Sequence, residues 1–137
     1  MRRILEQLAF ANVFAPQSVT NGEDKTTSFV DTSGATEVLF ALSTAALGAG
    51  KTVTVTLMGS AESNGGSPEA IGEAVVFTDK VGTAPQTVLV SYKVDPAKHR
   101  YIGLKFQHSA DAAVDCGVTA AADSLYLPAG NSWSLVV

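Results

Sequence analysis

The part of the chain that comes nearest to a binding motif is a glycine-rich run ending in Gly50-Lys51-Thr52. A phosphate-binding loop of this type needs a strand before it and a helix after it, because the amides at the helix N-terminus bind the phosphates. Here the residues after Lys51 alternate threonine with valine, which predicts a strand. No hydrophobic strand ending in a magnesium-binding aspartate follows at a suitable place. The run therefore predicts a turn between two strands and no nucleotide site.

Two histidines and three aspartates are the remaining candidates for acid–base or metal chemistry. His99 lies in a Lys-His-Arg connector and His108 ends a predicted strand, so we interpret both as surface histidines. Asp111, Asp115 and Asp123 do not match a calcium loop, which needs oxygen ligands at closely alternating positions around a central glycine. We interpret them as carboxylates of surface turns. No metal and no cofactor is expected.

Nucleophilic catalysis has no better support. Ser60 follows Gly59 without the glycine pattern of a nucleophile elbow. The single cysteine, Cys116, lies in an alternating apolar run, which indicates a buried free thiol and excludes an internal disulfide. A glycosidase-like pair of carboxylates remains an alternative, because the distance between two carboxylates in space cannot be determined from a sequence. With no catalytic residue to name, we expect the protein not to be an enzyme.

The composition fits one compact domain. The 137 residues are enough to bury a core without disulfides or metals. Charged residues are 16% and hydrophobic residues 46%, which indicates a folded chain. The net charge of −4 and the scattered Lys and Arg residues argue against a nucleic-acid partner. No apolar stretch reaches the roughly 20 residues that cross a bilayer, and the first residues lack a secretory signal, so we expect synthesis in the cytoplasm and no membrane partner.

Strand patterns occupy most of the chain. The clearest is Lys51 to Ser60, where apolar residues alternate with threonines, as in a strand with one face in a core. Further strands are predicted at 26–31, 35–42, 73–78, 86–94, 101–108 and 113–122, and a last strand or tail at 133–137. The strand at 35–42 is apolar on both faces and is expected to be central. About eight short strands predict an all-β fold, an antiparallel β-sandwich or jelly roll.

Both ends of the chain carry apolar residues that need a partner. We interpret residues 1–14 as an N-terminal arm or first strand, with a short helical turn passing into an extended segment that Pro16 ends, and residues 15–137 as a single jelly-roll domain. An arm with exposed apolar residues needs its own sheet or a neighbouring subunit to lie on. A turn is predicted at Pro128 to Asn131, and Trp133 is expected to fill a core or an interface.

Four segments together resemble the decoration, or cement, proteins of tailed-phage capsids, a class with a jelly-roll fold on the outer surface of the shell. They are Phe10-Ala11-Asn12-Val13-Phe14, the Thr-Val-Thr-Val-Thr strand with its Gly-Ser loop, Pro96 with His99-Arg100-Tyr101-Ile102-Gly103-Leu104, and Val118-Thr119-Ala120 leading to Leu127-Pro128-Ala129-Gly130. The resemblance covers most of the chain in order, as a pattern of strands.

The resemblance implies a structural protein of the virion, made in the host cytoplasm and located on the outer capsid surface. Such a protein stabilises the shell by bridging major capsid subunits, works without catalysis, and forms a homodimer or homotrimer. Contacts with the capsid or between subunits are expected ahead of the first clear strand, at Arg2, Arg3, Ile4, Leu5, Leu8, Phe10 and Phe14. The alternative function is a carbohydrate- or receptor-binding jelly-roll module of a phage particle.

Overall fold

The computed structural model describes residues 4–123, 131 and 133–135. This part of the chain contains one short helix and nine strands. In chain order they are α1 (Ile4–Gln7), β1 (Leu8–Val19), β2 (Lys25–Thr26), β3 (Val30–Asp31), β4 (Glu37–Thr44), β5 (Lys51–Ser60), β6 (Glu69–Asp79), β7 (Gln86–Lys93), β8 (Tyr101–His108) and β9 (Val114–Asp123). No helix in these ranges is long and apolar enough to span a membrane.

The strands form two antiparallel sheets that pack face to face. Sheet A has the strand order β1-β9-β4-β7, and sheet B has the order β2-β8-β5-β6, with β3 also paired to β8. Most connections, such as β4 to β5 and β7 to β8, cross from one sheet to the other. This interleaved order is that of a jelly roll. The predicted antiparallel β-sandwich is confirmed.

The core lies between the two sheets and is filled by alternate residues of the central strands. Val53 and Val55 of β5 are buried, as the threonine–valine alternation predicts. Phe40 and Leu42 of β4 enter the same core from sheet A. β4 pairs with β7 on one side and β9 on the other, so the prediction of a central strand here is confirmed.

β1 continues through Pro16 to Val19, so the prediction that Pro16 ends this segment is wrong. β1 is the edge strand of sheet A, and its register with β9 shifts between Asn12 and Phe14 and again between Phe14 and Gln17. Proline has no N–H to donate, and an edge strand with a bulge does not need one at that position.

Other boundaries differ where a glycine or a loop breaks the local pattern. β6 begins at Glu69, ahead of the predicted start at Glu73. Gly72 has a φ of +75° and lies at an irregularity in the pairing of β6 with β5, so the strand continues through the break in its alternating pattern. The predicted strand at 26–31 is divided into β2 and β3.

The C-terminal predictions are only partly testable. Residues 128–130 of the predicted turn and residues 136–137 lie outside the described residues, and 133–135 are not in a strand. Trp133 is fully exposed, so its placement in the core is wrong. The described residues next to Trp133 in sequence are not in a strand. The interpretation of Trp133 as an interface residue stays a prediction.

Candidate interaction surface

The two outer faces of the sandwich differ in chemistry, and this difference marks the candidate site. In sheet A the outward positions of β1, β9, β4 and β7 align in cross-strand rows. Two adjacent rows carry no charge. They are Phe10, Ala121, Leu39 and Ser91 in one row, and Asn12, Thr119, Ala41 and Leu89 in the next. We call these eight residues the sheet A face.

The sheet A face has exposed apolar residues at both margins and small residues between them. Phe10 on β1 and Leu89 on β7 are exposed, whereas Leu39 and Ala41 on β4 are half-buried. A shallow pocket of about 270 Å³ beside Leu39 is also lined by the Glu37 and Asp123 carboxylates, so it marks the charged border of this face. Depletion of charge together with aromatic and aliphatic residues is the composition of the centre of protein–protein interfaces.

The outer face of sheet B is polar by comparison. Thr54 of β5 lies opposite Gln107 of β8, and Thr56 lies opposite Lys105. Hydroxyl, amide and ammonium groups of this kind remain favourably hydrated. The Lys105 ammonium gives the outer face of sheet B a charge that the two rows of the sheet A face lack.

Of the seven N-terminal residues predicted to make contacts, Phe10 is part of the sheet A face and Leu8 precedes it on the outward side of β1. Arg2 and Arg3 are outside the described residues. Ile4 in α1 is exposed, and Leu5 and Leu8 are half-buried. Leu8 therefore continues the outward side of β1 beyond Phe10, in the row of Asp123.

Phe14 has a different environment from the other predicted contact residues. Its ring lies 5.1 Å from the ring of Phe106, centroid to centroid, at an interplanar angle of 86°. This edge-to-face contact joins β1 of sheet A to β8 of sheet B. Phe14 therefore packs on the core.

Asn131 fixes the N-terminal segment on its own sheet. Its side-chain amide donates to the carbonyl oxygens of Leu5 at 3.1 Å and Leu8 at 2.9 Å, and its Oδ1 accepts from the N–H of Phe10 at 2.8 Å. These bonds satisfy backbone groups on the free edge of β1. Sequence reasoning placed Asn131 only in a turn, because nothing local links it to residues 5–10.

Residues considered for phosphate and metal chemistry have structural roles. β5 begins at Lys51, where a phosphate loop would need a helix, so the prediction of a turn and a strand is confirmed. The Lys51 ammonium lies 2.9 Å from the Asp111 carboxylate. Asp123 accepts hydrogen bonds from the Thr36 hydroxyl and from the amides of Thr36 and Glu37. No cluster of metal-ligating side chains exists within the described residues.

His108 is buried, with 3% of its surface exposed, so its interpretation as a surface residue is wrong. Its Nδ1 accepts from the N–H of Ala110 at 3.1 Å, and its Nε2 lies 2.6 Å from the carbonyl oxygen of Val19. With Nδ1 accepting, Nε2 carries the proton and donates to Val19. The neutral imidazole therefore makes a hydrogen bond through each of its two ring nitrogens at the end of the core.

His99 is half-buried and is also not a freely solvated residue. Its ring packs on Gly59, where an added Cβ would lie 2.5 Å from the ring, and its Nε2 lies 3.1 Å from the Glu69 carboxylate. The absence of a side chain at Gly59 makes room for the imidazole. The ring therefore serves packing at the end of sheet B.

Cys116 is a buried free thiol, as its sequence context predicts. Burial, with a smaller effect of the Asp115 carboxylate, raises the pKa of the thiol to about 11. A thiol that stays protonated at neutral pH is a poor nucleophile. The interpretation as a core residue is confirmed.

Asp31 and Arg100 form a two-point ion pair at the end of the sandwich. The Arg100 guanidinium donates to both oxygens of Asp31, at 2.9 and 2.8 Å. These hydrogen bonds hold the pKa of the Asp31 carboxyl well below its usual range. A carboxyl whose folded pKa is depressed stabilises the fold above its unfolded pKa, and this contribution is lost as the pH falls through the folded pKa.

Replacing Asp31 by Asn is therefore expected to have a pH-dependent effect. At pH 7 the free energy of unfolding should fall by no more than about 1 kcal/mol, because the pair is exposed and screened by solvent. The difference from the parent should narrow as the pH falls below about 4. Urea unfolding at pH 7 and at a pH below about 4 measures the difference in the free energy of unfolding between the variant and the parent. Asp111→Asn is the control, because Asp111 makes an ion pair with Lys51 through one oxygen only. A difference independent of pH would contradict the role of this carboxylate.

No protein-family model matches this chain, and no curated protein matches it. Among solved structures, it is similar to a chain of infectious bursal disease virus, Gx strain, with a TM-score of 0.52 and 14% identity over 86% of this chain and 32% of that chain. The likeness is one of fold. Dimeric latent PorU from Porphyromonas gingivalis gives a TM-score of 0.48 at 13% identity, over 85% of this chain and 12% of PorU. The enzymatically active domain of tailspike protein 4 from bacteriophage CBA120 gives 0.45 at 8%, over 85% and 19%. This chain thus spans less than a third of each of these three chains.

Proposed function

We propose that this protein is a structural component of a virion that binds the outer surface of a phage capsid and stabilises the shell by bridging major capsid subunits. The sheet A face carries the proposal, because it is a continuous uncharged surface, whereas the outer face of sheet B carries the Lys105 ammonium. An exposed uncharged face with apolar residues at its margins is typical of a surface that binds another protein.

The shape of the sheet A face suits a shell. Four strands spaced about 4.8 Å apart give a surface about 14 Å wide, which is broad and shallow rather than a cleft. Its small residues, Ala41, Ala121 and Thr119, allow close approach without a large desolvation cost. Phe10 and Leu89 at the margins are the side chains that would fill hollows between subunits.

The N-terminal residues add a second contact to this surface. We propose that Arg2, Arg3 and Ile4, with Leu5 and Leu8 behind them, grip a neighbouring subunit. Deleting residues 1–7 leaves β1 whole, since that strand begins at Leu8. The shortened protein should fold as before and bind capsids more weakly. Unchanged binding would remove the N-terminal residues from the contact surface.

A second candidate function is carbohydrate binding. It is favoured by Trp133, whose ring is fully exposed and has the amphipathic character of a sugar platform. A glycan array answers this directly: binding that Trp133→Ala removes would support a carbohydrate-binding module, and an array without a signal would oppose it.

The deciding experiment is sedimentation of the full chain alone and then with capsids stripped of it. Binding that saturates at a fixed number of copies per shell supports the proposal. Protein that stays in the supernatant at every concentration contradicts it. Thermal disruption of the loaded and stripped shells then measures whether the bound protein stabilises them, which the proposal requires.

A further inference from the structure

The sandwich is open along the side where the last strands of the two sheets lie near each other. Among the described strands, β7 pairs only with β4 in sheet A, and β6 pairs only with β5 in sheet B. Two adjoining hollows of about 230 and 260 Å³ lie between β6 and β7, and Phe77 and Leu89 line both of them. Val53 lines the first hollow and Val55 the second. We call these two hollows the β6–β7 groove.

The inward face of β6 is uncovered at this groove. Phe77 lies opposite Val53 of β5, and Val75 lies opposite Val55. Residues that oppose each other in an antiparallel pair point to the same face, so all four side chains point toward the core. The two β5 residues are 2% and 3% exposed, whereas Phe77 and Val75 are 42% and 50% exposed. On β7 the inward Val88 is only 7% exposed, so the uncovered apolar surface belongs to β6.

The walls of the β6–β7 groove favour an extended peptide as its occupant. Because the groove lies between β7 and the inward face of β6, a segment that fills it runs beside β7 and packs on β6. The free edge of β7 offers N–H and C=O groups to such a segment. An acyl chain would cover the apolar side chains but could not hydrogen-bond to these groups. Packed sheets are about 10 Å apart, so the opening between them is too narrow for a folded domain.

The charges of the β6–β7 groove are negative. The charged side chains that line it within the described part of the chain are those of Glu73 and Asp79. Asp79 is already compensated, since it accepts from the amides of Leu47 at 3.3 Å and Gly82 at 2.8 Å. Glu73 is exposed and makes no ion pair or hydrogen bond with the described residues. A partner with a lysine or arginine next to its apolar residues therefore complements this groove.

The N-terminal residues of the same chain lie away from the groove. β1 is at the opposite edge of sheet A from β7, and the Asn131 side chain binds the carbonyl oxygens of Leu5 and Leu8 there. The apolar residues of α1 and β1 therefore do not cover Val75 and Phe77. The occupant has to come from another molecule.

We propose that the β6–β7 groove binds an extended segment of another protein, which pairs with the free edge of β7 as a fifth strand of sheet A. The segment has apolar side chains at alternate positions, which enter the hollows and pack on Val75 and Phe77. A basic residue beside them lies near Glu73. Leu89 and Ser91 border both this groove and the sheet A face. Peptide binding is measured without capsids, so the inference stands or falls separately from capsid binding.

Synthetic peptides of about seven residues test the proposal on the full chain. Each has lysine at both ends and, between them, valine, leucine or phenylalanine alternating with threonine. Isothermal titration should give a Kd below about 1 mM for at least one of them, and the bound peptide should slow amide hydrogen exchange in β7. Decanoate is the comparison, since an acyl chain cannot pair with a strand. No binding by any peptide up to about 1 mM, or binding of decanoate but of no peptide, would overturn the inference.

Two neighbouring substitutions locate the bound peptide. Val75 and Val76 are both about half exposed, but Val76 lies opposite Thr54 and so points to the outer face of sheet B. Val75→Asn should weaken peptide binding at least about tenfold, because it places an amide against apolar side chains. Val76→Asn should bind peptides like the parent. Circular dichroism checks that both variants fold, and equal effects of the two substitutions would contradict the inference.

Glu73→Gln tests the charge of the partner. The Kd of the lysine peptides should rise about two- to fivefold, as expected for an exposed ion pair. Peptides with glutamate in place of lysine should bind the variant more tightly than the parent, and the opposite order would contradict a basic partner. Sedimentation equilibrium without peptide tests a second copy as the occupant. A parent that self-associates, with a Val75→Asn variant that does not, would assign the groove to this chain itself and overturn the inference.

Discussion

Thr119→Glu is expected to weaken binding to capsids at least about a hundredfold, because a carboxylate buried in an interface without a partner costs several kcal/mol. Thr119 is exposed on β9, and its cross-strand neighbours on the sheet A face are Asn12 and Ala41. None of these side chains can neutralise a carboxylate. The fold should be unaffected, since the new side chain points away from the core. Co-sedimentation with stripped capsids over a range of protein concentrations measures the change.

The matched control is Thr54→Glu, the same substitution on the outer face of sheet B. Thr54 is on a central strand, opposite Gln107, as Thr119 is on a central strand of sheet A. This variant should bind capsids like the parent. If Thr54→Glu lost binding and Thr119→Glu kept it, sheet B would be the docking face. If both variants bound capsids as tightly as the parent does, neither face would be the principal contact.

The strands could be predicted because alternation of apolar and polar residues is a local property. The bounds of β5 and β8 agree with the predictions at 51–60 and 101–108, where alternation is uninterrupted. β6 was mispredicted at its start because Gly72 breaks the alternation while the strand continues. A bulge is compatible with pairing to β5, but only the partner strand shows this.

Errors about single residues arose where the environment comes from distant parts of the chain. His108 is buried because Val19, far away in sequence, supplies the acceptor for its proton. Pro16 is tolerated inside β1 because that strand is at an edge, a property of the whole sheet. Neither fact has a signature within a few residues of the side chain concerned.

The candidate site was predictable only in part for the same reason. The alternation in β4 shows that Leu39 and Ala41 share a face, and their apolar character was used to predict a central strand. The sheet A face also needs Asn12, Thr119 and Leu89, and these strands are brought together by the jelly-roll order rather than by neighbouring sequence. Attention to the N-terminal residues alone found Phe10 and missed the rest.

Phe106→Ala is expected to cause the largest loss of stability, about 3 to 5 kcal/mol, out of a total of about 5 to 15 kcal/mol for a domain of this size. Phe106 is 1% exposed in the centre of β8, and its ring holds the edge-to-face contact with Phe14. The substitution removes the ring from the core, leaves a cavity and deprives Phe14 of the surface against which it packs. Because β1 and β8 belong to different sheets, the loss falls on the contact between the layers.

Chemical unfolding of the parent and the variant measures this loss, with Phe10→Ala as the control for an aromatic residue on the surface. Phe10 is exposed on the sheet A face, so its truncation should cost at most about half as much. Phe106→Leu should cost less than Phe106→Ala, because leucine fills most of the cavity. If Phe10→Ala were as destabilising as Phe106→Ala, the assignment of Phe106 to the core and Phe10 to the outer face would be wrong. That result would also undermine the sheet A face, because Phe10 belongs to it through the register of β1 with β9.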